Sequence, residues 1–486
     1  MALYSGSQNP PEGWQNGTSL SCSIDATRFL KPVNRRLHGI AIHSMSMIDD
    51  YPYHMQGLYF NMPIQVTEMS RDLLIPATRI ASGYNDFLKF KSWERYLGAV
   101  STTGYVLDIP RRWTIINPFT GNSAIETPLS EIPVITQLAY DAGYRYMEVE
   151  NEPYNREWDN DPPYSRFPYT LEGQAAYVDY YRRVYHEVKR TRPMMRVMPT
   201  VMRHPTAFPY WTSGMLQILQ GQFDAIAVHA YSKGSLTRNA YNNMSFEEWA
   251  VAVSIEETGR FLQYRNTFNV PVIATEFGME SVYPTTGAPR DGNIWAVVSN
   301  AYRMLLFHDT SCLDMACAWQ LVEPWWPGRQ ETGKFLYVRP DQPGKTGFLY
   351  WLHYHFIRNL GKWLLPVTGT SPVVTLPDHW NVNRTGLLTP VMATLSPEQR
   401  RMYIVVVNAS WDTEYPARFD LNGFYIRRSS VKFLKHDDLD HFGVVPAGTN
   451  PEGLIVHTGG GTISQGGTRF ETTVPPHSVM FITLSA

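Results

Sequence analysis

Tyr144-Arg145-Tyr146-Met147-Glu148-Val149-Glu150-Asn151-Glu152-Pro153 is the stretch on which the reading of the chain turns. It is β-rich and carries acidic side chains at intervals of two. On a regular strand that period puts Glu148, Glu150 and Glu152 on one face, where ionised carboxylates repel unless cations, donors or protons offset them. A strand with a purely structural task is seldom written this way. Pro153 lacks a backbone donor and favours an extended residue before it, so the ladder is expected to stop where Glu152 is presented. Glu152 is therefore read as placed for chemistry at the C-terminal end of a strand.

Outward from that stretch, β-rich apolar runs alternate with longer segments of helical period, the grammar of βα units around a parallel sheet. Strands are expected over 37–44, 78–83, 105–110, 144–152, 197–201, 225–232, 270–278 and 314–323. Helices are expected over 131–142, 171–192, 245–266, 292–308 and 346–364. In the second of these, Ala175, Val178, Tyr181, Val184, Tyr185 and Val188 recur at helical spacing. The pattern predicts an α/β fold, a (β/α)8 TIM barrel over residues 36–365. Beyond Pro366 it changes to short alternating runs, which predict a C-terminal antiparallel β-sandwich over 366–486. Residues 1–35 form an N-terminal segment whose run Ser19–Asp25 can add a strand to the sandwich.

Charge narrows the partners. With 42 Lys and Arg against 44 Asp and Glu, the net charge is -2, so no overall field favours nucleic acid or an anionic membrane. No run approaches ~20 uninterrupted apolar residues, so no membrane span is expected. Aromatics make up 13% of the chain, enough to furnish flat platforms for sugar rings besides packing the core. Cys22, Cys312 and Cys317 are odd in number with no framework spacing, and read as core thiols. The N-terminus has neither a basic n-region nor an apolar h-region. That suits a cytoplasmic protein, or a secreted or periplasmic one whose signal peptide has been removed.

A TIM barrel holds its active site where the strands end, so polar residues there are the candidates. Strand four ends in Asn151 and Glu152, strand six in His229 and Tyr231, strand seven in Glu276; strand two offers Arg79 and strand eight Trp319. Two carboxylates across a barrel mouth with these neighbours are what cleavage of a glycosidic bond requires. The departing oxygen needs a proton and the anomeric carbon needs a carboxylate, so one Glu must be neutral and the other ionised. Glu152 is assigned as acid and then base, Glu276 as nucleophile. Tyr231 is expected to donate to Glu276, Asn151 to hold the sugar 2-hydroxyl, Arg79 to lower the pKa of a nearby carboxylate, and Trp319 to floor the sugar subsite. Trp158, in the loop 154–169 over the acid, and Trp325 are further platforms. His229 is read either as a substrate contact or as a hydrogen-bonded core histidine. Glu148 is expected deeper in the barrel, paired with an arginine such as Arg79 or Arg111, because an unpaired buried carboxylate is costly.

Tyr146-Met-Glu-Val-Glu-Asn-Glu-Pro153 resembles the strand-four signature of the clan A glycoside hydrolases in its Glu-Val-Trp-Asn-Glu-Pro form. Val272-Ile-Ala-Thr-Glu-Phe-Gly278 resembles their strand-seven nucleophile motif. The resemblance implies that Asn151 and Glu152 are the clan's Asn and acid/base, that Glu276 is its nucleophile, and that His229 and Tyr231 are similar to its strand-six pair. The sandwich, ending in Val474-Pro-Pro-His-Ser-Val479, resembles the appended domain of the arabinofuranosidase, β-xylosidase and related families. Glu150 stands where the motif often has Trp. The implied function is a retaining glycoside hydrolase acting on an oligo- or polysaccharide, with a β-linked glucan, xylan or mannan as its carbohydrate substrate. An α-L-arabinofuranosidase, a transglycosylase on the same carboxylates and a non-catalytic carbohydrate-binding barrel are the alternatives. No cofactor and no metal is expected, because metal-dependent barrel hydrolases cluster His and Asp ligands at strand ends and strand one supplies His43 alone.

Overall fold

Eight parallel strands close into a barrel in the computed structural model of the chain. The structure describes residues 3–4, 9–43, 72–81, 110–119, 127–153, 167, 170–201, 212, 214–231, 245–278, 293–319, 322–324, 336–339, 342–378, 381–438, 445–446 and 449–486. The barrel strands are β1 (Gly39–His43), β2 (Thr78–Ala81), β3 (Thr114–Ile116), β4 (Tyr146–Val149), β5 (Arg196–Val201), β6 (Ile226–Tyr231), β7 (Val272–Gly278) and β8 (Met315–Ala318). Each pairs with the next, and β8 returns to β1 through Cys317 opposite Gly39. Gly39 is required there, since a Cβ would lie 2.8 Å from the carbonyl oxygens of Ala316 and Ala77.

Two strand assignments change. The third strand is Thr114–Ile116, not 105–110; residues 105–109 lie outside the described residues, and Pro110 caps a 3-10 turn, Arg111–Trp113. Three β-branched residues are too few to declare a period against the basic and aromatic residues before them. The eighth strand ends at Ala318. Val322–Pro324 belongs instead to a small sheet with Leu336–Arg339, Gln342–Thr346 and Val445–Pro446.

Alternation along the strands divides the barrel interior into two layers. The lower is apolar: Ala77, Ile115, Tyr146, Met198, Ala227, Ile273 and Met315 pack together. Two residues further along each chain segment come Arg79, Asn117, Glu148, Thr200, His229, Thr275 and Cys317, all buried. A polar layer at the C-terminal end of the strands thus rests on an apolar plug.

The helices hold this frame from outside. Among them are α1 (Glu131–Asp141), α2 (Leu171–Thr191), α3 (Ser254–Phe268), α4 (Ile294–Thr310) and α5 (Phe348–Arg358). The Thr170 side chain caps α2 by accepting from Gly173 N, and Asn293 caps α4 by accepting from Trp295 N and Ala296 N. Every residue from Ile294 to His308 is buried, because α4 also packs against the sandwich strands Ser478–Ser485 and Arg401–Asn408.

The sandwich draws on both ends of the chain. In one sheet Leu20–Asp25 lies between Val367–Ser371 and Tyr415–Asn422, antiparallel to the first and parallel to the second. The facing sheet is built around Ser478–Ser485 and ends in Trp363–Leu364 paired with Lys31–Pro32. Cys22 points into this core, Cys312 and Cys317 into the barrel region, and all three are free buried thiols.

Three histidines are buried where α4 and α5 meet the start of β1. His38 Nε2 lies 2.8 Å from His308 Nε2, and the His353 ring is edge-on to His38 with centroids 6.2 Å apart. Burial holds all three below the usual imidazole range, His308 and His353 at about 3. They are neutral when folded, whereas the unfolded chain binds a proton at each below about pH 6.5, so stability falls as pH falls from there towards 3. The expected slope from the three is up to about 4 kcal/mol per pH unit. Urea midpoints at pH 7.5 and 5.5 check it: His353→Phe should flatten the loss, and an unchanged difference would refute the assignment.

Candidate active site

Glu148 is the hub of the polar layer. Its Oε2 accepts from Arg79 Nε at 2.7 Å, and its Oε1 accepts from the hydroxyls of Thr200 and Thr275, each at 3.0 Å. His229 Nε2 lies 3.3 Å from the same Oε1. Burial alone would raise this carboxyl, but the Arg79 guanidinium and the His229 contact outweigh that and hold it at about 2. The arginine partner is thus Arg79; Arg111 donates instead to the Ala142 carbonyl on the outside of the barrel.

The Arg79 fork reaches further. Nη1 pairs with Glu276 Oε1, and Nη2 donates to Asn151 Oδ1 at 2.7 Å. A guanidinium has no acceptor, so the Asn151 amide must turn its oxygen to Arg79, with its NH2 as the remaining donor end. One fully buried cation therefore aims three side chains on β4, its following turn and β7.

His229 faces carboxylates on both nitrogens. Nδ1 is 2.7 Å from Glu152 Oε1 and 3.5 Å from Glu276 Oε2. Burial opposes its charge, yet Glu276, Glu148 and Glu152 raise the imidazole to about 10, so at neutral pH it is an imidazolium donating from both nitrogens. One donor atom each from Glu152, His229 and Glu276 lies within 4.8 Å of the others. With both ring nitrogens of His229 turned to carboxylates, this group also has the geometry of a proton-sharing cluster.

Backbone irregularity makes the convergence possible. In β7 the register against β6 shifts between Ala274 and Glu276, and against β8 between Ala274 and Phe277. A bulge there lets consecutive residues, Thr275 and Glu276, both reach the interior, which a regular strand forbids. Arg303 on α4 fixes the end of that strand by donating to the Gly278 carbonyl at 2.9 Å, itself buried and paired with Glu257 on α3 at 2.7 Å.

The shared face expected for Glu148, Glu150 and Glu152 does not exist. The strand ends at Val149, and Glu150 and Glu152 both have left-handed backbones, with φ of 67° and 47°. Pro153 therefore does not hold Glu152 extended. Such conformations cost about 1–3 kcal/mol each and persist only where neighbours fix them. Here Asn117 Nδ2 donates to the Glu150 carbonyl at 3.0 Å, Thr200 Oγ1 lies 2.9 Å from the same carbonyl with its one proton shared between it and Glu148 Oε1, and Tyr177 of α2 donates to the Val149 carbonyl at 3.0 Å. The turn swings Glu152 over the barrel mouth and buries Glu150.

Of the residues singled out from sequence, Arg79, Asn151, Glu152, His229 and Glu276 come together. Trp319 follows β8, partly exposed, its backbone N donating to Phe277 O at 2.9 Å beside the end of β7. Trp158 and Trp325 lie outside the described residues, and so does the side chain of Tyr231; the contacts seen on Glu276 come from Arg79 and His229. Thr200 and Asn117 were not anticipated and Thr275, beside Glu276 at the end of strand seven, was given no role, although each stands two residues past an apolar layer position.

No family model matches the sequence, and no curated protein matches it. Solved structures do. A thermostable GH51 α-L-arabinofuranosidase from Thermotoga petrophila RKU-1 superposes with a TM-score of 0.69 at 14% identity, covering 96% of this chain and 100% of its own. A xyloglucanase of glycoside hydrolase family 44 from Paenibacillus polymyxa gives 0.57 at 13% identity over 97% and 100%. CelM2, a bifunctional glucanase-xylanase from a metagenome library, gives 0.58 at 13% over 99% and 100%. The fold is that of the clan A glycoside hydrolases. The likeness runs through barrel and sandwich alike, and in the clan A fold the C-terminal ends of the strands, where the two glutamates meet here, form the mouth.

Proposed function

We propose that the protein is a retaining glycoside hydrolase working by double displacement on a glycan, with Glu276 as nucleophile and Glu152 as acid and then base. The observation that carries this is proximity: one carboxylate oxygen of Glu152 and one of Glu276 lie within 4.8 Å of each other, and both carboxylates reach the same His229 Nδ1. Retaining pairs stand about 5–5.5 Å apart, whereas inverting pairs leave about 6.5–9.5 Å for a water. Glu276, held by Arg79, attacks the anomeric carbon while Glu152 passes its proton to the departing oxygen. Water then attacks the glycosyl ester, Glu152 takes its proton, and Glu276 leaves as a carboxylate. Asn151 presents its NH2 to the sugar 2-hydroxyl, and Trp319 stacks beneath the ring.

Two substrate classes are put forward. A β-linked glucan, xylan or mannan suits the aromatic supply and the glucanase and xyloglucanase neighbours. An α-L-arabinofuranoside is favoured by the higher TM-scores of the arabinofuranosidases, 0.69 against 0.57–0.58. Hydrolysis of a panel of aryl glycosides and polysaccharides of both classes, with product configuration read by NMR, tests the proposal. Retention supports it; inversion refutes the nucleophile assignment, and transfer to an added acceptor sugar would make the protein a transglycosylase. Glu152→Ala should lower kcat/KM about 10²–10⁴-fold on substrates with poor leaving groups and far less on activated aryl glycosides, which barely need a proton. Equal losses on both would remove Glu152 from the acid role.

A further inference from the structure

The charges in the polar layer do not balance by themselves. Arg79 and His229 supply two positive charges, while Glu148, Glu152 and Glu276 can supply three negative ones. Glu148 is fully buried and ionised, bound to Arg79, Thr200, Thr275 and His229, and takes no part in the bond changes described above. Resting on those roles for Glu152 and Glu276, we propose that Glu148 is a positioning residue that keeps His229 an imidazolium aimed through Nδ1 at Glu152, so that the layer's charge count sets when Glu152 holds its proton.

The count works in both half-reactions. With Glu276 ionised, Arg79 and His229 offset Glu148 and Glu276, and the cluster is neutral only when Glu152 carries a proton, the acid form. Once Glu276 is esterified to the sugar its charge is gone. Glu152 has given its proton to the leaving oxygen, and the cluster is neutral with Glu152 as a carboxylate, the base form. Water's proton then returns to Glu152 as Glu276 is released with its charge, while His229 keeps both protons throughout. Among the described residues, burial pushes the Cys317 thiol on β8 and the Tyr177 phenol on α2 upward, so both stay neutral, while the buried Glu150 carboxyl, which bears on Tyr177, is common to both half-reactions and leaves the difference between them unchanged. The position of Glu148 is what separates this device from a simple acid–base pair. It pulls on the far nitrogen of the ring, 3.3 Å away, from a place no substrate reaches.

Glu148→Gln keeps the size and removes the charge. The cluster is then neutral with Glu152 already ionised, so the acid form needs one more proton and is lost at lower pH. The alkaline limb of kcat/KM on a poor-leaving-group glycoside should move down by on the order of one pH unit or more. The limb should move far less on an activated aryl glycoside. Histidine 15N NMR should show His229 doubly protonated at pH 8 in the wild type and titrating at lower pH in the variant. An unmoved limb with a uniform loss of rate, or a neutral His229 in the wild type at pH 7, overturns the proposal. If Glu148→Gln does not fold, Thr275→Val, which strips a neutral donor from ionised Glu148 and leaves its charge, should hold or raise the His229 titration, and a downward movement overturns the proposal. Failure to hydrolyse any glycoside would count against the proposed function, while the NMR titration would still decide the role of Glu148.

Discussion

Glu276→Ala is expected to lower kcat/KM by at least about 10⁴-fold on every glycoside the wild type cleaves, activated or not. The reason is geometric. Glu276 is the carboxylate that Arg79 and His229 both hold at the end of β7, whereas Glu152, the other carboxylate described at the mouth, lacks the Arg79 contact and is assigned to the proton. A good leaving group relieves the need for a proton but not for a nucleophile, so the loss should not depend on the aglycone, in contrast to Glu152→Ala. The alanine leaves room for a small anion beside the anomeric carbon. Azide should therefore restore turnover on activated substrates and yield a glycosyl azide of inverted configuration. Kinetics with and without azide, with the product followed by NMR, make the check. Wild-type rates in the variant, or a retained azide product, would give the nucleophile's place to another residue.

The barrel and sandwich were legible because their elements are periodic and long enough to count. β3 was not, since Thr114–Ile116 offers three residues and its neighbours mask the edge. The site was legible as a set of residue types at strand ends, which is how Glu152 and Glu276 stood out. Its wiring was not. Arg79 meets Glu148 and Glu276 across separations of 69 and 197 residues, which only barrel closure creates. The strict period of two led to one face for Glu148, Glu150 and Glu152; the left-handed backbone at the last two breaks it, and no residue type there announces it. Thr200 and Thr275 carry a usable signal, a hydroxyl two positions beyond an apolar layer residue, once the layers are known. The bulge that turns Glu276 inward is invisible without the register of β6 and β8.

Arg79→Met should cost both stability and activity, by separable routes. The side chain is fully buried, and its loss takes from Glu148 its closest cation, leaving the longer His229 contact and two threonine hydroxyls, which costs up to about 3–5 kcal/mol. It also frees Glu276 and Asn151 from a common anchor, and without that cation a second carboxylate, besides Glu152, is driven to take up a proton at neutral pH. Misplacement of the nucleophile and loss of its charge together should lower kcat/KM by at least about 10²-fold. Arg79→Lys keeps the charge but not the planar fork, so it should recover more of the stability than of the activity. Combining Arg79→Met with Glu148→Gln separates the two routes. Removing the orphaned carboxylate should return part of the urea midpoint, because the two groups are one ion pair, yet leave kcat/KM low, because Glu276 still has no anchor. Additive losses of stability in the double variant would show that Arg79 serves something other than Glu148. Recovery of activity alongside stability would show that Glu276 does not depend on Arg79 for its aim.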